Sequence, residues 1–274
     1  MSGAGEYRTA IIAGRGILPA ALVDAFAEVP LICALDGFAP DGLVVDQVFR
    51  IERLALFLRL LEDRGVTRVI FAGAVQRPRL DPSLFDPQTA MLVPRLLGAM
   101  QAGDDAALRI VIDIFEEAGF VVVGAQELAP GLVPGAGVLC GKPSECDIAD
   151  AARAAVIVAA LGRVDVGQGA VVAQGLCLGV EALAGTDALL DTVAALPDLL
   201  RPDPARGRGV LYKAAKPGQD RRVDLPTLGV DTVRRAAAAG LGGIAWEADA
   251  VICLDLTAMC AEAQLAGLFL WARP

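Results

Sequence analysis

The sequence predicts an α/β fold in two domains: an N-terminal Rossmann-like parallel sheet with helices, and a C-terminal α/β domain with a mixed sheet. Strand-like and helix-like segments alternate through the first half, which is typical of a parallel sheet covered by helices. A stretch rich in glycine and proline, residues 131–143, then breaks the alternation. It predicts a linker between an N-terminal domain, 1–130, and a C-terminal domain, 144–274. Beyond it, the glycine-rich β segment 166–185 favours a mixed sheet.

The individual elements follow from the spacing of apolar residues. Short apolar runs bounded by glycine, proline or aspartate predict strands, and leucine or alanine at helical spacing predicts helices. In the N-terminal domain these rules give strands at 9–13, 30–35, 66–72 and 120–124, helices at 19–27 and 52–63, and two more helices before the last strand. In the C-terminal domain they give helices at 148–161, 186–196 and 230–239, and strands at 210–214, near 244 and at 251–254.

The 274 residues include no histidine, and this absence removes whole classes of chemistry. Histidine is the usual general base near neutral pH, the usual partner of a serine or cysteine nucleophile and the commonest metal ligand. Ser-His-Asp catalysis, Cys-His catalysis and the H-E-x-x-H zinc helix are therefore excluded. A formal charge of −9 argues against non-specific nucleic-acid binding, which needs a basic face. With no secretory signal and no apolar run of the roughly 18–20 residues that span a membrane, we expect a cytoplasmic protein.

The first predicted strand opens into Gly14-Arg15-Gly16 before a helix. Such a unit resembles a phosphate cradle, because glycines let the backbone approach an anion and the helix offers unpaired N–H groups. Asp36 lies where a dinucleotide fold places its ribose-binding acid. An NAD(P)-dependent oxidoreductase is therefore one hypothesis. Pro19 argues against it, since proline removes a backbone donor at the third glycine position, and a plain tight turn is the alternative.

Lysine usage points to a second region. The chain has lysine only at Lys142, Lys213 and Lys216, whereas arginine is common. The loop that follows the predicted strand 210–214 combines cations with carboxylates: Lys213, Lys216, Gln219, Asp220, Arg221, Arg222 and Asp224. Carboxylates can hold Mg²⁺ and cations can neutralise phosphate oxygens, so the loop suits metal-assisted phosphoryl chemistry. A solvated loop with incidental ion pairs is the alternative.

Three further features support a phosphate site. Gly167-Gln168-Gly169 exposes backbone, and the segment 181–187, which includes Thr186 and Asp187, adds carboxylates. Arg77 follows the third predicted strand, at the carboxyl end where open α/β sheets bind ligands.

The order and wording of these motifs resemble a known family. The segments are IIAGRGILP at 11–19, AGAVQRP at 72–78, GDDAALRIVIDIFEEAGFVVVGAQEL at 103–128, VGQGAVVAQGLCLGVEALAGTDALL at 166–190, KAAKPGQDRRVDLPTLGVDTV at 213–233 and AGLGGIAWEA at 239–248. They are similar to the LpxI-type UDP-2,3-diacylglucosamine diphosphatases of lipid A biosynthesis. The pattern KPxQDxRxDxP, residues 216–226, is the most specific. Arg15 departs from the family pattern, where many relatives have glycine.

The resemblance implies hydrolysis of UDP-2,3-diacylglucosamine to UMP and 2,3-diacylglucosamine 1-phosphate (lipid X), with Mg²⁺ or Mn²⁺ as cofactor. It implies water attack on the sugar-bearing phosphorus, a glycolipid held between two domains with 144–274 as the catalytic one, and a homodimer. It also implies a cytoplasmic enzyme at the inner membrane surface. Because the substrate would carry two acyl chains, the apolar stretch around Leu265–Trp271 is a candidate acyl groove or membrane contact. An ordinary core helix is the alternative.

Residue roles carry over onto the matching motifs. Asp224 is implied to be catalytic, with Asp220 beside it, and both are metal-ligand candidates; whether Asp224 binds metal or positions water stays open. The substrate-binding candidates are Gly14, Gly16, Arg77, Gly167, Gln168, Gly169, Thr186, Asp187, Lys213, Lys216, Gln219 and Arg222. A non-catalytic protein that binds a nucleotide sugar or lipid is a third hypothesis.

Overall fold

The computed structural model describes residues 8–26, 28–76, 80–102 and 104–274, with the side chains of 99–102, 104 and 105 left outside the description. The chain divides into two compact units. Unit 1 runs to Ala129 and also contains Arg222–Asp224, and unit 2 contains Pro130–Arg221 and Leu225–Pro274.

Unit 1 is built around a parallel sheet. Its strands are β1 (Arg8–Ala13), β2 (Leu31–Leu35), β3 (Gln47–Phe49), β4 (Val66–Ala72) and β5 (Val121–Val122), and its helices are α1 (Leu18–Val23), α2 (Leu54–Asp63), α3 (Pro87–Ala90), α4 (Val93–Ala102), α5 (Asp104–Glu117) and α6 (Ala125–Leu128). The strand order is β3-β2-β1-β4-β5, and each neighbouring pair is parallel. The predicted Rossmann-like parallel sheet is thereby confirmed.

The core of unit 1 follows from the apolar pattern. In α2 the buried side chains Leu54, Phe57, Leu58 and Leu61 recur at helical spacing, which places them on one face. The ring of Phe57 stacks on Phe49 with 3.9 Å between centroids. The strands are short and apolar on both faces, as expected of a sheet covered by helices.

Unit 2 is built around a mixed sheet. Its strands are β6 (Gly137–Cys140), β7 (Gly169–Ala173), β8 (Leu176–Val180), β9 (Val210–Lys213), β10 (Thr227–Leu228), β11 (Gly243–Glu247), β12 (Ile252–Cys253) and β13 (Phe269–Arg273), and its helices are α7 (Glu145–Gly162), α8 (Gly185–Ala194), α9 (Val230–Ala238) and α10 (Leu256–Ala266). The order of the main sheet is β6-β13-β11-β9-β7-β8, with β6 and β7 antiparallel to their neighbours. This confirms the predicted mixed sheet.

Strand direction decides which residues meet at each edge of that sheet. Because β7 is antiparallel to both β8 and β9, its first residue, Gly169, pairs with the last residue of β9, Lys213. The carboxyl end of β8 lies at the same edge, since Val180 pairs with Ala170. The glycine segment, the carboxylate segment and the lysine loop of the sequence therefore converge at one sheet edge.

Three predicted elements differ from the structure. The first helix ends at Val23 instead of 27, and the predicted linker contains β6, which pairs with β13. The C-terminal stretch is not a helix: α10 ends at Gly267, whose φ of +64° suits glycine, and Phe269–Arg273 then forms a strand flanked by β6 and β11.

Within this stretch Phe269 and Leu270 are buried in the sheet, whereas Leu265 is exposed on α10. The acyl groove or membrane contact expected there stays a prediction. In the described part of the chain, no helix combines the length and the apolar character needed to cross a membrane.

Candidate active site

A buried lysine lies at the carboxyl edge of the unit 2 sheet. Lys213 ends β9 and is 5% exposed. Its Nζ donates to Thr186 Oγ1 at 2.5 Å and lies 3.5 Å from both the Thr227 carbonyl oxygen and Glu181 Oε2. Thr186 Oγ1 in turn donates to Glu181 Oε2 at 2.7 Å. We call Glu181, Thr186 and Lys213 the lysine cluster.

The glycine segment packs against this cluster without a gap. A Cβ at Gly167 would lie 2.0 Å from the Glu181 carbonyl oxygen, and a Cβ at Gly169 would lie 2.8 Å from Glu181 Oε2. The Glu181 backbone therefore requires glycine at 167, whereas a side chain at 169 would displace the Glu181 carboxylate. Between them, Gln168 accepts a hydrogen bond from the Ala214 amide at 3.1 Å through its carbonyl.

The side chain of Gln168 carries an open acceptor. Its Oε1 is buried and has no hydrogen-bond partner among the residues that the structure describes. A buried polar atom without a partner costs about 1–3 kcal/mol. Because this atom is closed to solvent, a ligand would reach it only after a local rearrangement, and Gln168 stays a predicted substrate-binding residue.

The start of the lysine loop is an anchored turn. Lys216 Nζ forms an ion pair with Asp165 at 2.6 Å, and its backbone amide donates to Gln219 Oε1 at 2.9 Å. The Gln219 amide donates back to the Lys216 carbonyl at 3.1 Å, and Gln219 is buried. A Cβ at Gly162, the last residue of α7, would meet Pro217 at 2.7 Å. The turn is thus held against the end of α7.

The rest of the loop has residues in both compact units. Asp220 and Asp224 are both half-buried, and Arg221 pairs with Glu247 at 2.6 Å in unit 2. Arg222–Asp224 belong to unit 1, where Arg222 Nη1 donates to Glu116 Oε1 at 2.6 Å.

The predicted phosphate cradle of unit 1 takes a different form. The Gly14 amide donates to the Ala72 carbonyl at 2.7 Å, and Arg15 and Ala74 exchange two backbone hydrogen bonds of 2.9 Å. A Cβ at Gly14 would lie 2.7 Å from the Ala74 carbonyl oxygen, so backbone packing accounts for this glycine. Helix α1 has only six residues and carries Pro19 in its first turn. The Gly14 and Arg15 amides are therefore used inside the protein.

The remaining candidates have separate positions. Gly16 adopts a φ of +95° with open space where a Cβ would lie. Asp36 pairs with Arg50 at 2.9 Å. Asp187 is exposed and lies 3.6 Å from Arg235 Nε. Arg77 lies outside the described residues.

Three participants were not singled out from the sequence. Glu181 falls inside the segment 181–187, and its carboxylate is the only feature of the sequence that could have marked it as a site residue. Asp165 and Thr227 follow from tertiary packing, because Asp165 is 51 positions from Lys216 and Thr227 reaches Lys213 through its backbone carbonyl. No local pattern marks either residue.

The candidate nucleophiles of unit 2 are not activated. Burial, with the carboxylates of Asp150 and Asp147, raises the pKa of the Cys146 thiol, and Ser144 caps α7 by accepting from the Asp147 amide. Burial and the carboxylate of Glu247 raise the pKa of Tyr212, so its hydroxyl stays protonated at neutral pH. Covalent catalysis by these groups is not supported.

The metal site expected at Asp220 and Asp224 stays a prediction. Among the described residues, no group of three Cys, Asp or Glu side chains is placed to hold a metal ion. Mg²⁺ usually takes one or two carboxylates and fills its other positions with water and substrate phosphates. Asp220 and Asp224, four positions apart in one loop, can supply that number of carboxylates.

Comparison with known proteins places the chain in a family. Residues 8–132 match the family model described as the LpxI N-terminal domain, and residues 135–271 match the one described as the LpxI C-terminal domain. The chain belongs to the LpxI family. It is 41% identical over 266 residues to the UDP-2,3-diacylglucosamine pyrophosphatase LpxI of Caulobacter vibrioides, covering 94% of this chain and 95% of that protein. The lysine cluster and the anchored turn both lie in the LpxI C-terminal domain.

Proposed function

We propose that this LpxI-family protein hydrolyses the pyrophosphate bond of UDP-2,3-diacylglucosamine to UMP and lipid X in lipid A biosynthesis. The observation that carries the proposal is the buried Lys213, held at a carboxyl sheet edge at the start of a loop with two half-buried aspartates. Hydrolysis of a phosphoanhydride needs cations for the phosphate oxygens and oxygen ligands or bases for water. This region supplies both without histidine.

In the proposed reaction the cations bind the phosphates and the aspartates act on the water. Lys213 and Lys216, with Arg222, would neutralise charge on the phosphates as the bond breaks. Asp224 would orient the attacking water and accept its proton, with Asp220 as its partner carboxylate. The water oxygen bonds to the sugar-bearing phosphorus, and UMP leaves with the bridging oxygen. Gln168 Oε1 would accept a hydrogen bond from the substrate.

A divalent cation fits this scheme. Asp220 and Asp224 would hold Mg²⁺ or Mn²⁺. A bound cation would polarise the phosphoryl oxygens and lower the pKa of a bound water.

The substrate also suggests where the protein works. A glycolipid with two acyl chains resides in a membrane, so we propose a cytoplasmic enzyme in peripheral contact with the inner membrane surface. A homodimer stays a prediction of the family resemblance.

The two other hypotheses find less support. An NAD(P)-dependent oxidoreductase would need the first glycine loop as a cradle, and Gly14 and Arg15 there use their amides inside the protein. A non-catalytic binding protein would explain the open acceptor on Gln168 but gives the aspartate-rich loop no role.

Replacing one carboxylate tests the proposal. Purified wild-type protein with UDP-2,3-diacylglucosamine and Mg²⁺ should release UMP, measured by chromatography, and release should stop when EDTA is added. Asp224→Asn should lower kcat at least about 1,000-fold, comparable to the loss of a principal catalytic group. Asp231→Asn, an exposed aspartate of α9 paired with Arg234, is the matched control and should retain wild-type activity.

Binding of the glycolipid without turnover by the wild-type protein would favour the non-catalytic hypothesis. Saturable NAD(P)H binding with no response to UDP-sugars would favour the oxidoreductase. Full activity of Asp224→Asn would remove Asp224 from the catalytic assignment.

A further inference from the structure

The Glu181 carboxylate is the most deeply buried acidic group at this sheet edge, and no role is assigned to it by the proposed reaction. Glu181 is 6% exposed. Burying a carboxylate is costly unless it is paired and hydrogen-bonded, and Glu181 has two such partners: Thr186 at 2.7 Å and Lys213 at 3.5 Å.

The hydrogen bonds of the cluster fix one another's direction. The Thr186 hydroxyl has a single proton and two lone pairs. That proton goes to Glu181 Oε2, which accepts from Thr186 Oγ1 at 2.7 Å. The Thr186 oxygen is then an acceptor toward Lys213 Nζ, which it binds at 2.5 Å. Glu181 therefore determines which way Thr186 faces Lys213.

Two glycines provide an independent observation. Gly167 leaves room for the Glu181 carbonyl oxygen, which lies 2.0 Å from where a Cβ would be. Gly169 leaves room for the Glu181 carboxylate, whose Oε2 lies 2.8 Å from the corresponding position. The Glu181 amide also donates to the Gly169 carbonyl at 2.8 Å. The Gly167-Gln168-Gly169 motif was predicted to let a ligand approach the backbone. In the structure, Glu181 occupies the space beside both glycines.

We propose that Glu181 is a positioning residue that acts through Thr186 to hold the Lys213 ammonium in one place for the substrate's phosphate. This role rests on the proposed function, in which Lys213 touches the phosphate. Only the Thr186 contact of Lys213 is short; the contacts to Glu181 and Thr227 are 3.5 Å. The ammonium can therefore turn a proton toward a phosphate oxygen while Thr186 keeps the nitrogen in position.

Steady-state kinetics separate positioning from bulk stability. Glu181→Gln should lower kcat about 100-fold, the effect of misplacing a catalytic group by about 1 Å, and leave the KM for UDP-2,3-diacylglucosamine much less changed. Glu181→Asp should restore part of the loss. Thr186→Val should match Glu181→Gln, whereas Thr186→Ser, which keeps the hydroxyl, should restore part of the loss. The double variant Glu181→Gln/Thr186→Val should be no slower than the slower single variant, since the residues act as one unit.

The matched control is another buried carboxylate of unit 2. Asp150 accepts the amides of Gln174 and Gly175 at the turn that joins β7 to β8, away from the lysine cluster. Asp150→Asn should lower the melting temperature and leave kcat of the folded protein unchanged. If Glu181→Gln behaves as this control does, with a lower melting temperature and wild-type kcat, the role of Glu181 is structural and the proposal fails. Multiplicative effects of the two single variants would also overturn it.

A second readout does not depend on turnover. The chain has only three lysines, so a sample labelled with ¹⁵N at lysine Nζ gives at most three side-chain signals. Glu181→Gln and Thr186→Val should move the Lys213 signal and leave those of Lys142 and Lys216 in place. An unmoved Lys213 signal in both variants would contradict the proposal. If the wild-type protein releases no UMP, the proposed function fails, and this spectrum still decides whether Glu181 positions Lys213.

Discussion

At the residue scale, the site depends on close approaches that allow no side chain. A Cβ at Gly167 or Gly169 would collide with Glu181, and a Cβ at Gly14 would collide with the Ala74 carbonyl oxygen. These glycines looked like ligand-approach positions in the sequence, because a glycine beside a strand has the same appearance in both cases. Only the tertiary neighbour tells the two apart.

Gly167→Ala tests this interpretation. Its new methyl would lie 2.0 Å from the Glu181 carbonyl oxygen, so the chain must shift, and we expect a loss of about 1–3 kcal/mol in the free energy of unfolding. Gly98→Ala is the matched control: nothing lies within 4 Å of its Cβ position in α4, and alanine there should stabilise by up to about 1 kcal/mol. Urea denaturation measures both. Equal midpoints for the two variants would refute the packing argument.

At the element scale, one capping aspartate links two helices of unit 1. Asp86 accepts the amides of Gln88 and Thr89 at the start of α3 and the Thr89 hydroxyl at 2.6 Å. Thr89 Oγ1 also accepts the Ala55 amide of α2 at 2.9 Å. Burial raises the pKa of Asp86, but the hydrogen bonds from Thr89 and Gln88 outweigh it and hold the pKa below its usual range.

This lowered pKa predicts a pH dependence. The charged cap stabilises the folded state at all pH values above the unfolded pKa, near 3.9, and that contribution is lost as the pH falls through the lower folded pKa. Asp86→Asn removes the titration, so the difference in unfolding free energy between wild type and variant should be constant from pH 7 to pH 5 and shrink below about pH 4. Urea denaturation across this range measures it. A difference that grows toward low pH would contradict the cap assignment.

At the scale of the whole molecule, the sequence predicted the architecture better than the site. Alternating strands and helices gave the parallel sheet of unit 1, and the glycine-rich β segment gave the mixed sheet of unit 2. The strand β13 was missed because Phe269–Arg273 is apolar next to a helix, and a short apolar run has no period that separates strand from helix. Lys213, Thr186 and Gln168 were predicted as site residues because they lie in distinctive segments. Asp165 and Thr227 were not, since only the fold brings them near the lysines.

In the proposed reaction, water attacks the sugar-bearing phosphorus of UDP-2,3-diacylglucosamine. Turnover in H₂¹⁸O, followed by mass spectrometry of both products, tests it most directly. The new phosphorus–oxygen bond forms on the sugar side and UMP leaves with the bridging oxygen, so one ¹⁸O atom should appear in lipid X and none in UMP. Label in UMP, or no cleavage of the glycolipid with Mg²⁺ present, would contradict the account.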